Sequence, residues 1–88
     1  MKLLWQEHAW TDYEWWQQQD RRVLRRVNQL LHDICRDPYQ GIGKPEQLRH
    51  YDTPTFSRTI TKGDRLVYRP HGEGDLLIIS CKGHYDDK

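Results

Sequence analysis

Residues 56–82 read FSRTITKGDRLVYRPHGEGDLLIISCK, and this stretch decides the fold. Three runs rich in β-branched, aromatic and aliphatic residues, Phe56–Thr61, Arg65–Arg69 and Leu76–Lys82, alternate with turn-forming segments. Lys62-Gly63-Asp64 and His71-Gly72-Glu73-Gly74 bring glycine where the chain must reverse, so the runs predict successive strands joined by short turns. The last run holds Leu76, Leu77, Ile78 and Ile79 in succession, which predicts a central strand covered on both faces.

Upstream, Pro38 to Glu46 reads PYQGIGKPE, a Gly- and Pro-rich loop. Before it, Val23, Leu24, Val27, Leu30, Leu31 and Ile34 fall at i, i+1, i+4, i+7, i+8 and i+11, the clearest amphipathic helix of the chain. Asp20 can N-cap this helix by accepting first-turn N–H groups. Pro38, which has no N–H to give, stops it just past Arg36. Arg21, Arg22, Arg25 and Arg26 lie toward its other side. From Glu7 to Gln19, Trp10, Tyr13 and Trp16 recur at helical spacing and predict a buried stripe, with Trp15 off it. Lys2 to Trp5 is a short apolar run suited to a first strand. Strand, helix, helix, loop and then three or four strands is an α+β order: an antiparallel sheet with an N-terminal helical hairpin on one face.

The 88 residues suffice for one domain, because a chain of this size buries roughly 65% of its extended surface and builds one sheet-and-helix layer pair. Fourteen Lys and Arg against 13 Asp and Glu leave a formal charge of +1, so a nucleic-acid partner depends on how charge is distributed, not on its total. No apolar run is long enough for a membrane span, and Gln6, Glu7 and His8 interrupt the apolar start, unlike a secretory signal. Cys35 and Cys81 lack metal-like spacing, and reduced thiols in a cytoplasmic protein are expected. His8, His32, His50, His71 and His84 form no HExxH and no pair at i, i+4, so no metal site is expected. No nucleotide-cradling glycine motif occurs, and no cofactor is expected.

Between Lys44 and Arg69 stand six Lys or Arg and three Asp or Glu, interleaved with Tyr51, Phe56 and Tyr68. Single-stranded RNA needs cations for its phosphates and aromatic faces for its bases, although a solvated mixed-charge sheet face has the same composition. Within this half, Glu46, Arg65 and His84 supply the groups that metal-free RNA cleavage requires. A carboxylate can take the 2′-OH proton, a guanidinium can face the phosphorane, and an imidazole can protonate the leaving oxygen. Taken singly, each reads first as structural: a loop carboxylate, a surface strand residue and a chain-end imidazole.

The opening MKLLW, Trp10, Asp12-Tyr13, Trp16-Gln17, and the loop Gly41-x-Gly43-Lys44-Pro45-Glu46 form a pattern with Leu48-x-His50 and Phe56-Ser57-Arg58-x-Ile60-Thr61. It continues through Arg65-Leu66-Val67-Tyr68, Leu76-Leu77-Ile78 and Cys81-x-x-His84-Tyr85. Together, from Met1 to Tyr85, they resemble the Txe/YoeB branch of the RelE-type bacterial toxins. The resemblance implies a RelE-like microbial ribonuclease fold over residues 1–85, with 86–88 a short acidic extension. It implies an endoribonuclease that enters the ribosomal A site, cuts mRNA there without a metal and leaves a 2′,3′-cyclic phosphate. Glu46 would be the base, Arg65 the transition-state cation and His84 the acid. Tyr85 would hold the scissile phosphate or stack on a base, and Lys44, Arg49 and Arg58 would bind RNA. The implied partners are ribosome and mRNA, a YefM-like antitoxin whose tail folds on the toxin, operator DNA only through the antitoxin complex, and a second copy in a homodimer. The alternative is a non-cleaving homologue that only binds ribosome or antitoxin, which would be expected to have lost one of Glu46, Arg65 and His84. Thr59 stands where arginine is common, Gly83 replaces a bulkier residue, and Asp86-Asp87-Lys88 extends past the usual terminal Tyr.

Overall fold

The computed structural model describes residues 1–83, so the readings of His84, Tyr85 and residues 86–88 lie outside the described residues. The elements are β1 (Leu3–Trp5), α1 (Glu7–Gln19), α2 (Arg21–Arg36), β2 (Glu46–Gln47), β3 (Phe56–Thr61), β4 (Asp64–His71) and β5 (Asp75–Ser80). The architecture is the expected α+β, two helices on a five-stranded sheet ordered β1-β5-β4-β3-β2.

Asp20 caps α2 as its side chain allows: Oδ1 accepts Arg22 N–H at 3.0 Å and Val23 N–H at 3.3 Å. Val27, Leu30, Leu31 and Ile34 turn into the core, with Val23 and Leu24 half-buried beside them. Against them lie Ile60 of β3, Leu66 and Tyr68 of β4, and Leu76 and Ile78 of β5. Each fully buried Leu or Ile contributes about 1.5–3 kcal/mol relative to exposure, so this face supplies most of the drive to fold.

The first helix differs from the expected aromatic stripe. Trp16 is buried with Ala9 and Asp12, but Trp10 remains 45% exposed. Trp10 instead stacks on Tyr13 (ring centroids 5.6 Å) and meets Trp5 edge-on at 5.5 Å, an aromatic patch at the rim of the core. The Tyr13 hydroxyl donates to Asn28 Oδ1 at 2.7 Å and ties α1 to α2. The reason is phase: Ala9, Asp12 and Trp16 share the sheet-facing line, and a small Ala there permits close approach.

Two sheet features also depart from expectation. Strands β2 to β5 are antiparallel, but β1 pairs parallel to β5, Leu3 opposite Leu76 and Trp5 opposite Ile78. Parallel pairing needs a long crossover, and the helical hairpin with the following strands provides one. Strand β5 lies beside the centre, between β1 and β4. Its Leu76 and Ile78 are buried under the helices, whereas Leu77 and Ile79 on the other face are half-exposed. Among the described residues, no helix is long and apolar enough to cross a membrane.

Candidate active site

The loop after α2 is fastened from below by Arg58. Strand alternation sends Phe56, Arg58 and Ile60 toward the helices, and the Arg58 side chain is fully enclosed. Its Nη1 donates to Asp33 Oδ2 at 2.5 Å and to the Ile42 carbonyl at 3.1 Å. Its Nη2 donates to the Asp37 carbonyl at 2.6 Å and the Gln40 carbonyl at 3.3 Å. Its Nε donates to the Tyr68 hydroxyl at 3.1 Å, which donates in turn to the Pro38 carbonyl at 2.7 Å. Asp33 also accepts from Arg36 Nε and Ile42 N–H. The Arg36 guanidinium first, then Arg58 and the Ile42 N–H, hold the Asp33 carboxyl well below the usual range. Burial pushes the Tyr68 phenol up.

So anchored, the loop lies close on the core. Gly43 has φ 81°, and a Cβ there would meet the Leu30 side chain at 2.7 Å. Its carbonyl accepts Thr59 N–H at 2.7 Å. Lys44 follows in the left-handed region at φ 52°, a conformation costing a non-glycine residue about 1 kcal/mol or more that is typically retained at functional sites. Glu46 then pairs with Ser57 on the short edge strand β2 and is exposed.

The β3–β4 hairpin brings up the second half of the site. Thr59 pairs with Arg65, and the register shifts between Thr59 and Thr61, a bulge that re-aims neighbouring side chains. Arg65 Nη1 donates to the Thr61 and Asp64 carbonyls at 3.2 and 3.4 Å. Its backbone N–H donates to the Gly83 carbonyl at 2.9 Å, and Gly83 N–H donates to Asp64 Oδ1 at 2.7 Å. The chain segment preceding residue 84 is therefore fixed beside Arg65.

That segment is held from the other side by α1. Asp12 Oδ2 accepts Cys81 N–H at 3.0 Å, Trp16 Nε1 donates to the Cys81 carbonyl at 2.7 Å, and Lys82 Nζ lies 4.3 Å from the Trp15 ring centroid. Cys81 is buried and its thiol is pushed up to about 12, chiefly by desolvation and then by Asp12 and Asp64. Cys35 is an exposed free thiol. Helical spacing marks Trp16 as buried, whereas a buried carboxylate such as Asp12 facing a distant backbone N–H leaves no local signal.

Between these walls opens a cleft of about 730 Å³ lined by Arg26, Gly43, Lys44, Glu46, Thr59, Lys62 and Arg65. It brings together three of the expected site residues, Lys44, Glu46 and Arg65. Four cations face one carboxylate there, and none of the five forms an ion pair with a described residue. Arg49 is exposed in the bend after β2 and does not line the cleft. The expectation that Arg58 binds RNA is corrected: every guanidinium nitrogen is committed to an interior partner, and none reaches the surface. Arg26 of α2 joins the cleft although its helical phase groups it with Arg21, Arg22 and Arg25, because phase shows which side a residue takes but not which strand edge it meets. Among the described residues, no cluster of His, Cys, Asp and Glu could hold a metal.

A family model described as the YoeB-like toxin of bacterial type II toxin-antitoxin systems matches residues 5–85. The chain is 45% identical over 85 residues to toxin YoeB of Escherichia coli strain K12, covering 97% of this chain and 100% of that one. Its fold is similar to the YoeB/ParE toxin from Agrobacterium tumefaciens, with TM-score 0.90, 44% identity, and 97% and 100% of the two chains covered. It is also similar to YoeB of Staphylococcus aureus, as a dimer (TM-score 0.88) and in a heterotetrameric YoeB–YefM toxin-antitoxin complex (TM-score 0.85). Identity is 37% in both, over 97% of this chain and 98% of those. The chain belongs to the YoeB-like toxins of bacterial type II toxin-antitoxin systems.

Proposed function

We propose that this toxin is a ribosome-dependent endoribonuclease that cuts mRNA in the A site and so arrests translation. The observation that carries the reading is the cleft that brings Glu46 and Arg65 together among cations that form no ion pair with a described residue. In this reading Glu46 takes the proton of a ribose 2′-OH, and the 2′ oxygen attacks the adjacent phosphorus. Arg65, its planar fork matched to phosphate oxygens, faces the charge that develops on the phosphorane. The bond from phosphorus to the 5′ oxygen breaks, and His84 gives that oxygen its proton. The products are a 2′,3′-cyclic phosphate and a 5′-hydroxyl, and side chains supply every proton and charge the steps require. Tyr85 holds the scissile phosphate, and Lys44 and Arg49 bind the flanking RNA.

The partners follow the relatives. A YefM-like antitoxin restrains the toxin, operator DNA is reached through that complex, and two toxin copies associate. The protein acts in the cytoplasm, where ribosomes are.

Primer extension on a defined mRNA, with and without programmed ribosomes, tests the reading. A cut inside the A-site codon that requires ribosomes is expected, and His84→Ala should lower its rate about a hundredfold or more, the scale of a lost general acid. Ribosome binding without any cut would instead identify a non-cleaving homologue.

A further inference from the structure

We infer that Arg26 is an RNA-binding residue of the cleft, gripping a phosphate next to the one that Arg65 faces. The inference rests on the proposed RNA substrate, but its residue and its evidence are separate. Strand β2 covers the edge of β3 only at Phe56 and Ser57. Beyond it, at Thr59, the N–H is taken by the Gly43 carbonyl, and the carbonyl is met by Arg26 Nη2 at 3.4 Å. Arg26 thus crosses the sheet edge and becomes the helical wall of the cleft.

A guanidinium carries five N–H donors, and this long bond is the one engagement of Arg26 among the described residues. The other basic residues of α2 differ. Arg21, Arg22 and Arg25 are exposed and do not line this cleft, and Arg36 is paired with Asp33. Arg26 alone among them is half-buried, held at its tip, and turned toward Lys44, Lys62 and Arg65. Among the described residues four cations surround one carboxylate, an excess of positive charge that an entering anion relieves. The diester phosphates of RNA supply spaced single charges and oxygens that fit a planar fork. A cleft of about 730 Å³ has room for a nucleotide and its adjoining phosphate. Capping the Thr59 carbonyl is the competing role, and charge separates the two, because a neutral amide can still cap.

The test titrates the full chain with a short RNA bearing one 2′-deoxyribose at the cutting position, which cannot be cleaved, and repeats it across a salt series. Arg26→Gln should weaken binding about tenfold and reduce the slope of log affinity against log salt by about 0.7, one phosphate contact on a single strand. Arg26→Lys should keep the slope and lose part of the affinity. Melting temperature should hold in both. Parental affinity and slope in Arg26→Gln would overturn the inference and leave Arg26 a cap, and so would a parental chain with no affinity for the RNA. Ribosomal cleavage, measured separately, keeps the two readings apart. A parent that binds RNA through Arg26 yet cuts nothing sinks the nuclease and spares this inference.

Discussion

Arg58 and Arg65 stand on neighbouring strands of one sheet, and their surroundings are opposite. Arg58 shares the helix-covered face with Leu66, its cross-strand partner, and is enclosed by Asp33, Tyr68 and three loop carbonyls. Arg65 pairs with Thr59 on the other face, among the described residues hydrogen-bonds through its side chain only to the carbonyls of Thr61 and Asp64, and borders a cleft. The first is a guanidinium whose demands are met by the protein. The second is one whose strongest demand, an anion, is not met by any described residue. Unmet charge in a concave wall marks where a ligand belongs, whereas satisfied charge marks what holds the wall in place.

Breaking the inner site should cost the most. Arg58→Ala removes one member of a buried pair and takes a donor from the carbonyls of Asp37, Gln40 and Ile42 and from the Tyr68 hydroxyl. A loss of about 3–5 kcal/mol in urea unfolding is expected, with little recovery in Arg58→Lys, whose ammonium cannot reproduce the fork. If Arg58→Ala instead kept its stability and changed only RNA affinity, the contrast between the two arginines would collapse.

Arg65→Ala should give the reverse pattern. Cleavage on programmed ribosomes should fall about a hundredfold, the scale of losing one group that stabilises transition-state charge, while stability shifts by less than about 0.5 kcal/mol. Unfolding measured beside single-turnover cleavage sharpens the comparison, because each arginine should move one readout and spare the other. A large stability loss in Arg65→Ala would mean that its backbone-directed bonds to Thr61 and Asp64 matter more than the cleft it faces.

Much of this arrangement is legible in the sequence. The spacing from Val23 to Ile34, the Asp20 cap and the three strand runs each depend on local physics, and the structure bears them out. Glu46 and Arg65 were legible as chemistry, and their convergence on one cleft is a property of tertiary structure. The parallel pairing of β1 with β5 was not legible, since strands joined across nearly the whole chain leave no turn to set their direction. Arg58 was misread because it was counted with the basic residues around it. A signal was available: Phe56, Arg58 and Ile60 alternate on one face, and two apolar neighbours assign that face to the core. What no local pattern could supply was the set of acceptors, Asp33 on α2 and the carbonyls of a loop, that makes a buried cation tolerable.

The smallest expected effect is the acid response of the inner site. The Asp33 carboxyl lies below its ordinary value of 3.8 because Arg36, Arg58 and the Ile42 N–H favour its ionised form. In the folded protein it therefore binds its proton at lower pH than in the unfolded chain. Its contribution is fully present above the unfolded value and is lost as pH falls from about 4 toward the folded value. The side chain is partly exposed, at 17%, so solvent screening keeps the effect modest. Urea unfolding from about pH 2 to about pH 6 should show stability declining more steeply at the acid end in the parent than in Asp33→Asn. Asp33→Asn should also be less stable than the parent at neutral pH, because it leaves the Arg58 charge enclosed without a carboxylate. Equal acid slopes would mean that Arg58 is held by the loop carbonyls and Tyr68 alone. The inner site would then be a hydrogen-bonded cage, and its difference from the cleft would lie in enclosure instead of in a counter-ion.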